Sequence, residues 1–417
     1  MKLLKNNIIN TLISKFLTAF CLMGVVIITS QTLGSEGRGL ISYVLLIIAI
    51  AQVISEFVGG SALINLAPRI RTINLIWPSY LFTILIVGIL YLVMRFSGNN
   101  FIPAWLTALI ALFLCLSNIN LNIILGRQRI NQRNGIQFLY TLLLLSGVYY
   151  VYWIQKGTDV VPYFNILAFA YIIGFILSLL QLLSLADKGS IEPLQLSRDI
   201  FKFGFWSQLA QLVNLLNYRI AYFFVERDFG LEQLGVYGNS MTVGDMMKIP
   251  GQSLGQVQHN RIINHSQPER FGLKLTKRYL TLNLVLYLLQ AIVIILLPAL
   301  FWTWLLGSDF ITLKNVVLYL LPGFIALGLA TSFSYYFHAL NRFKTVLAVN
   351  LATLITFVVS YVLLVGNLGF KAVLISFSLA YVVQLMLFVV LFFRKDKGSY
   401  HPLKDIKYWW RIQFSKE

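Results

Sequence analysis

Apolar runs of roughly 20 residues recur from one end of this 417-residue chain to the other. A helix of that length crosses the hydrocarbon core of a bilayer, so such runs are typical of transmembrane helices. Hydrophobic residues make up 58% of the chain and charged residues only 12%, about half the charged share of an average soluble protein. The sequence therefore predicts an all-α membrane protein and argues against a soluble globular domain.

Twelve such runs are separated by polar or glycine-containing connections. The eighth is interrupted by Pro250 and several glycines, which membrane helices tolerate where they face protein or a water-filled cavity. The predicted transmembrane helices are 8–30, 40–63, 75–96, 102–125, 135–154, 163–185, 203–226, 235–257, 277–299, 314–337, 345–366 and 370–393.

Basic residues are distributed unequally between the two sets of loops. Lys and Arg concentrate at the N-terminus, in the even-numbered loops (one of which holds Arg127, Arg129 and Arg133) and in the tail after Phe393. Cytoplasmic loops carry such an excess, so both termini are expected to face the cytoplasm. Topology then explains the net charge of +18, and no nucleic-acid partner is expected. The odd-numbered loops hold only Arg38, Arg95, Lys156, Arg227, Lys314 and Lys371.

A short acidic motif with two glycines occurs once in each half of the chain, as LGSEGRGLISY at 33–43 and FGLEQLGVYGN at 229–239. At one constant offset, Gly34, Glu36 and Gly39 match Gly230, Glu232 and Gly235. Each copy follows the first of six helices, and six crossings return the chain to its starting side. The repeat therefore predicts two parallel bundles related by a pseudo-twofold axis along the membrane normal.

The expected domains follow from this repeat. They are an N-terminal six-helix bundle at 1–186, a cytoplasmic linker at 187–202, a C-terminal six-helix bundle at 203–393 and a basic aromatic cytoplasmic tail at 394–417. The tail has apolar residues near one helical face and is expected to lie on anionic lipid as an interfacial helix.

With these features the chain resembles the MATE/MOP transporter superfamily and, within it, the Wzx-type polysaccharide biosynthesis flippases of bacteria. The resemblance is carried by the N-terminal stretch NNIINTLISKFLTAFCLMGVVIITSQTLGSEGRGLISY and by the length and topology of the whole chain. The chain is also similar to the lipid II flippases, but those have two additional C-terminal helices, which argues against a lipid II substrate.

The resemblance implies that the protein flips an undecaprenyl-pyrophosphate-linked oligosaccharide repeat unit by alternating access. The repeat unit would move from the cytoplasmic to the periplasmic face of the bacterial inner membrane, for assembly of O-antigen (lipopolysaccharide), capsule or exopolysaccharide. A polysaccharide polymerase and a chain-length regulator are expected as partners, beside the lipid-linked substrate and the lipid bilayer.

Five charged residues lie well inside the predicted helices, away from the helix ends: Lys15, Glu56, Arg219, Asp245 and Lys248. A charge near the bilayer centre costs at least ~2.5 kcal/mol, so such residues face the bundle interior or a wet cavity and tend to pair. The helical rise places Lys15 and Glu56 at the same depth, which predicts a pair. Asp245 and Lys248 are three residues apart and share a helix face, with Arg219 close in depth.

These charges favour an anion-binding cavity. Guanidinium and ammonium groups form charge-assisted bonds with phosphate, so Arg219, Lys248 and Lys15 are the candidate pyrophosphate-binding residues. Asp245 and Glu56 would hold these cations in the empty state or carry a coupling proton. The alternative is that all five form interhelical pairs that only fix packing, with Lys15 extending to the cytoplasmic interface.

In the fold that the chain resembles, helices 1, 2, 7 and 8 line the central cavity. Amide side chains on two of these predicted helices, the second and the seventh, are expected to line it too, and interhelical hydrogen bonding is an equal alternative for them. The amides concerned are Gln52, Gln208, Gln211 and Asn214.

Two other functions stay open. A drug/cation antiporter of the same fold would need a net acidic cavity, whereas the five charges are net positive. A membrane oligosaccharide polymerase or ligase would need catalytic side chains presented to the periplasm, usually on a large loop, and the odd-numbered loops are short. No metal or cofactor motif occurs, and both cysteines lie within apolar runs. We therefore expect a transporter without cofactor or metal, rather than an enzyme.

Overall fold

The computed structural model describes residues 2–68, 70–96, 102–184, 194–263 and 265–394, and their regular structure is helical. Residues 187–193 of the predicted linker and 395–417 of the predicted tail lie outside the described residues. The helices are α1 Lys2–Gly59, α2 Ser61–Leu66, α3 Thr72–Phe96, α4 Ala104–Gly126, α5 Ile130–Val148 with a π-helical continuation Tyr149–Ile154, α6 Val161–Leu183, α7 Leu194–Ile263, α8 Pro268–Leu296, α9 Ala299–Leu306, α10 Leu313–Ala339, α11 Phe343–Leu368 and α12 Phe370–Phe393.

Nine helical stretches within the described residues are long and apolar enough to cross a membrane. The first, Ile13–Val58, has 46 residues, about twice the length that one crossing needs. It contains most of the predicted helices 8–30 and 40–63. The others are Thr72–Phe96, Ala104–Gly126, Ile130–Ile154, Val161–Leu183, Glu269–Leu296, Leu313–Ala339, Phe343–Leu368 and Phe370–Phe393.

The connections predicted after the first and seventh transmembrane helices are kinks within long helices rather than loops. Gly34 in α1 has φ 66° and ψ −168°, and Gly230 in α7 has φ 82° and ψ 179°. A positive φ with an extended ψ is nearly restricted to glycine. The expectation of a loop is corrected because one glycine turns the chain and the polar residues after it resume the helix at once.

The chain forms two compact units. We call Met1–Leu215, Gly230–Gly235 and Leu305–Asp309 the N-terminal unit, and Leu216–Phe229, Val236–Trp304 and Phe310–Glu417 the C-terminal unit.

In the N-terminal unit α4 is the central helix. In its most apolar stretch 61% of the residues are buried, compared with 17% for α3, and it packs against α1, α3 and α6. A polar chain joins three of these helices: Tyr80 Oη donates to Asn120 Oδ1 at 2.6 Å, and Asn120 Nδ2 donates to Ser178 Oγ at 3.1 Å. Since a bilayer offers no water at this depth, these bonds satisfy the buried amide and fix the packing.

In the C-terminal unit α10 takes the equivalent place. In its most apolar stretch 72% of the residues are buried, and it packs against α8 and α12. Its core is aromatic, with Phe333, Tyr336, Phe388 and Phe392 all buried. The corresponding helices of the two predicted sets of six, α4 and α10, are therefore the most buried candidate spans of their units.

The glycines that interrupt the eighth predicted helix are packing sites. α7 continues through Pro250. A side chain on Gly244 would meet the ring of Phe324, and one on Gly255 would meet the ring of Tyr335. Large aromatic rings of α10 therefore lie directly against the α7 backbone, which explains why the sequence has glycine there.

Candidate functional site

Three of the five charged residues expected inside the membrane lie on α7. Arg219 precedes the kink at Gly230, and Asp245 and Lys248 follow it, all three in the C-terminal unit. Lys248 Nζ is 2.6 Å from Asp245 Oδ1, and the two residues are one helical turn apart. The hydroxyl of Tyr218 donates to the same Asp245 oxygen at 2.8 Å. One carboxylate oxygen therefore holds an ammonium group and a phenol together.

Tyrosine rings lie beside both cations. Lys248 Nζ is 3.6 Å from the ring centroid of Tyr218, and Arg219 Cζ is 4.9 Å from that of Tyr222. Tyr222 packs edge-on against Tyr237, with 5.2 Å between their centroids. Ring faces attract cations, more strongly when the cation is desolvated. The tyrosines therefore position both cations without neutralising their charge.

The charge balance of this cluster is positive. Arg219 and Lys248 both interact electrostatically with Asp245, so two cations share one carboxylate. The side chain of Asp245 is 43% exposed and that of Lys248 is 15% exposed, so the pair is accessible to a ligand. An anion with several oxygens can replace the carboxylate as partner of the cations, because guanidinium and ammonium groups form strong charge-assisted bonds with phosphate.

A second charged cluster, in the N-terminal unit, surrounds Glu56 near the end of α1. Gln52 Nε2 donates to Glu56 Oε1 at 3.1 Å. A cation whose charge acts on Glu56 is Arg133, in the first turn of α5, and Arg133 also acts on Lys15. The predicted pair of Lys15 with Glu56 stays a prediction. Lys15 lines an open groove of about 180 Å³ together with Ser14, Thr18, Ala19, Leu22, Asn134 and Gln137.

Sequence reasoning missed Arg133 as a member of this cluster. The charge distribution assigns it to a loop, whereas α5 begins at Ile130 and includes it. The sequence does carry a signal: Arg133, Gln137 and Tyr140 recur at helical spacing and form a polar stripe on α5. Tyr218 was missed as well, because only its neighbour Arg219 is charged.

The remaining predicted cavity residues lie on the part of α7 that belongs to the N-terminal unit. Gln208 is buried against Gly60, whereas Gln211 and Asn214 are exposed. Exposed amides favour a polar surrounding over lipid, since lipid offers them no partners. Within the described residues no group of His, Cys, Asp or Glu side chains is arranged to hold a metal ion.

No protein-family model matches the sequence, and no curated protein matches it. Solved structures do match over nearly the whole chain. An inward-facing multidrug resistance MATE family transporter of the MOP superfamily has a TM-score of 0.67 at 15% identity, covering 94% of this chain and 96% of its own. The lipid II flippase MurJ, in an inward closed conformation, has a TM-score of 0.67 at 13% identity, covering 98% and 94%.

A third match is a MOP superfamily transporter from Pyrococcus furiosus, for which the reversed polarity of the binding pocket is said to suggest a different function. Its TM-score is 0.65 at 13% identity, covering 93% of each chain. At these identities the likeness shows the fold. The chain thus has the fold of the MATE/MOP transporters, a fold found both in a multidrug resistance transporter and in a lipid II flippase.

Proposed function

We propose that the protein is a flippase of an undecaprenyl-pyrophosphate-linked oligosaccharide repeat unit, in the manner of the Wzx-type flippases. It moves the repeat unit from the cytoplasmic to the periplasmic face of the bacterial inner membrane, for O-antigen, capsule or exopolysaccharide assembly. The observation that carries the proposal is the α7 cluster, in which Lys248 pairs with the carboxylate of Asp245 and Arg219 also acts on it. Two cations to one acid suit a ligand with a pyrophosphate group.

The proposed topology has twelve crossings with both termini in the cytoplasm. Nine stretches are long and apolar enough to cross. α1 crosses a second time after its kink at Gly34, and α7 crosses once on each side of Gly230. The six crossings up to α6 and the six from α7 to α12 form two parallel bundles, joined by a cytoplasmic linker at 187–202 and followed by a cytoplasmic tail from 394.

In the proposed mechanism the two bundles rock about the pyrophosphate and sugar, while the lipid tail stays in the bilayer. In the empty protein Asp245 neutralises part of the charge of Lys248 and Arg219. The incoming pyrophosphate takes both cations, and Tyr218 keeps its hydrogen bond to the released carboxylate. Within the N-terminal unit, Arg133 acts on both Lys15 and Glu56, and Glu56 either balances these cations or carries a coupling proton.

The membrane potential favours this direction of transport. Moving one negative charge outward runs down an inside-negative potential and gains roughly 2.3 kcal/mol per 100 mV. The cationic empty site returns inward down the same potential. The released repeat unit is then used by a polysaccharide polymerase and a chain-length regulator at the periplasmic face.

A MATE-like drug/cation antiporter is the second candidate, favoured by one observation. Asp245 is 43% exposed and lies beside Tyr218, and an acid next to an aromatic ring also suits an organic cation. In that case Lys248 must leave the carboxylate when the drug binds. A membrane polymerase or ligase is the third candidate, and the described residues offer no observation in its favour.

The test is the double variant Arg219→Gln with Lys248→Gln in the native host. The matched control is Arg95→Gln with Lys156→Gln, which removes two exposed cations outside the cluster. At equal membrane abundance, the flippase proposal expects loss of surface polymer and accumulation of the lipid-linked unit on the cytoplasmic face only for the cluster variant. Normal polymer in that variant contradicts the proposed site.

The single variant Asp245→Asn separates the two leading candidates. A flippase keeps its two cations and therefore retains polymer export, whereas an antiporter loses the acid that binds its substrate. Export of an organic cation by the native protein that Asp245→Asn abolishes would decide for the antiporter.

A further inference from the structure

The two copies of the glycine motif contact each other within the N-terminal unit. A Cβ atom on Gly39 would collide with the backbone carbonyl of Leu231, and a Cβ atom on Gly235 would collide with the backbone carbonyl of Ser35. By the offset of the repeat, Gly39 corresponds to Gly235 and Ser35 corresponds to Leu231. The same contact is therefore made twice with the roles exchanged, as a twofold relation requires.

We call these four residues, Ser35, Gly39, Leu231 and Gly235, the glycine clasp. The two segments run antiparallel in it, since Ser35 meets Gly235 and Gly39 meets Leu231. Contacts this close between backbones are open only to glycine. They consist of van der Waals and Cα–H···O contact, which is weak for each pair and reversible.

The first copy is held more firmly than the second. Ser35 N donates to Asp309 Oδ2 at 3.2 Å, and Gln31 Nε2 donates to the carbonyl of Leu305 at 3.0 Å. A Cβ atom on Gly34 would also meet Asp309, whereas one on Gly230 would meet no atom within 4 Å. The segment Leu305–Asp309 therefore fastens the first kink, and the second kink has open space around its hinge glycine.

We infer that the glycine clasp is the extracytoplasmic gate of the transporter, closed in this structure, and that it opens by movement of the segment that follows Gly230. The inference rests on the proposed transport function and topology, which place both kinks at the outer ends of their helices. In the inferred closed state, the clasp keeps water and solutes on the extracytoplasmic side from the helices beneath it. Any side chain at Gly39 or Gly235 acts against the closed state alone, because the collision disappears when the segments separate.

The test measures opening directly. Ser35 is 4% exposed, so a Ser35→Cys reporter is protected while the clasp is closed. In right-side-out vesicles, with Cys21 and Cys115 replaced by serine, a membrane-impermeant maleimide added outside should label this cysteine about tenfold faster or more in Gly235→Val than in the parent, since a minor open state of a few per cent becomes dominant. The matched control is Gly366→Val, because a Cβ atom there meets nothing within 4 Å.

The symmetry of the clasp adds a second arm with a smaller change. Gly39→Ala and Gly235→Ala should both speed labelling, because each adds one methyl group to one of two equivalent contacts. Unchanged labelling in the alanine variants at normal abundance and thermal stability would overturn the gate. Labelling does not depend on the cargo, so faster labelling with unaltered polymer export would support the gate and count against the flippase proposal alone.

Discussion

Tyr218 contacts both the acid and a cation of the α7 cluster, because its hydroxyl and its ring act on different partners. The hydroxyl donates to Asp245 at 2.8 Å, and the ring lies 3.6 Å from Lys248 Nζ. Tyr218→Phe keeps the ring and removes the hydroxyl, with its hydrogen bonds to Asp245 and, at 3.3 Å, to the carbonyl of Met241. It should lower the free energy of unfolding by about 1–2 kcal/mol, as expected for a bond to a charged group in a membrane protein. Thermal unfolding of the purified protein in detergent measures this loss.

Tyr218→Ala removes the ring as well and should cost clearly more, roughly 3–5 kcal/mol for a buried aromatic side chain. Tyr149→Phe is the matched control, since Tyr149 is exposed and its change should leave the melting temperature unaltered. Equal losses for Tyr218→Phe and Tyr218→Ala would mean that the ring contributes nothing to holding Lys248.

The charged residues show which side-chain contacts can be predicted from the sequence. Asp245 and Lys248 are three residues apart on one helix, so their proximity follows from helical geometry alone. The proximity of Glu56 and Arg133 does not, because it depends on how α1 packs against α5. A helix start misplaced by a few residues was enough to assign Arg133 to a loop. Contacts within a helix are therefore predictable here, and contacts between helices require the structure.

At the scale of the helix, the glycines of α7 set how closely its neighbours approach. A side chain on Gly255 would meet the ring of Tyr335, whose place is fixed by α10. Gly255→Leu should therefore lower the free energy of unfolding by about 1–3 kcal/mol through overpacking. Thermal unfolding in detergent, compared with Gly88→Leu in α3, measures the effect; Gly88 is exposed and a side chain there meets nothing within 4 Å. Equal melting temperatures for the two variants would show that α10 yields to the added side chain.

The limits of helix prediction in this chain have a physical cause. Apolar length predicted ten of the twelve helices within stretches that are long and apolar enough to cross a membrane, because a bilayer imposes that length on any helix that spans it. The other two predicted helices, 203–226 and 235–257, lie in α7, which is not among these stretches of the described residues. Polarity and glycine content then suggested loops at Gly34 and Gly230 and a broken helix at Pro250. At Pro250 the helix continues, and glycines there admit aromatic neighbours. At Gly34 and Gly230 a single glycine with non-helical φ and ψ joins two helices directly, without a loop. Composition alone does not distinguish these roles of glycine.

For the whole molecule, the unequal distribution of Lys and Arg predicts an orientation in the membrane that is open to direct test. In the proposed topology Thr158 and Thr312 lie outside the cell, and Ser184 and Ser266 lie in the cytoplasm; all four are exposed. Cysteines at Thr158 and Thr312 should react with an impermeant maleimide in intact spheroplasts, whereas those at Ser184 and Ser266 should react only after permeabilisation.

The native cysteines, Cys21 and Cys115, are buried, so they should contribute little background. The expected pattern follows from the positive-inside rule, by which loops rich in Lys and Arg stay in the cytoplasm. The opposite pattern would place both termini outside. It would also reverse the electrostatic argument, because the same conformational change would then move the anion inward, against the inside-negative membrane potential. A mixed pattern, in which Thr158 and Thr312 react from opposite sides, would show an odd number of crossings between two sites expected on the same side. It would remove the parallel relation of the two bundles, and with it the twofold origin of the glycine clasp.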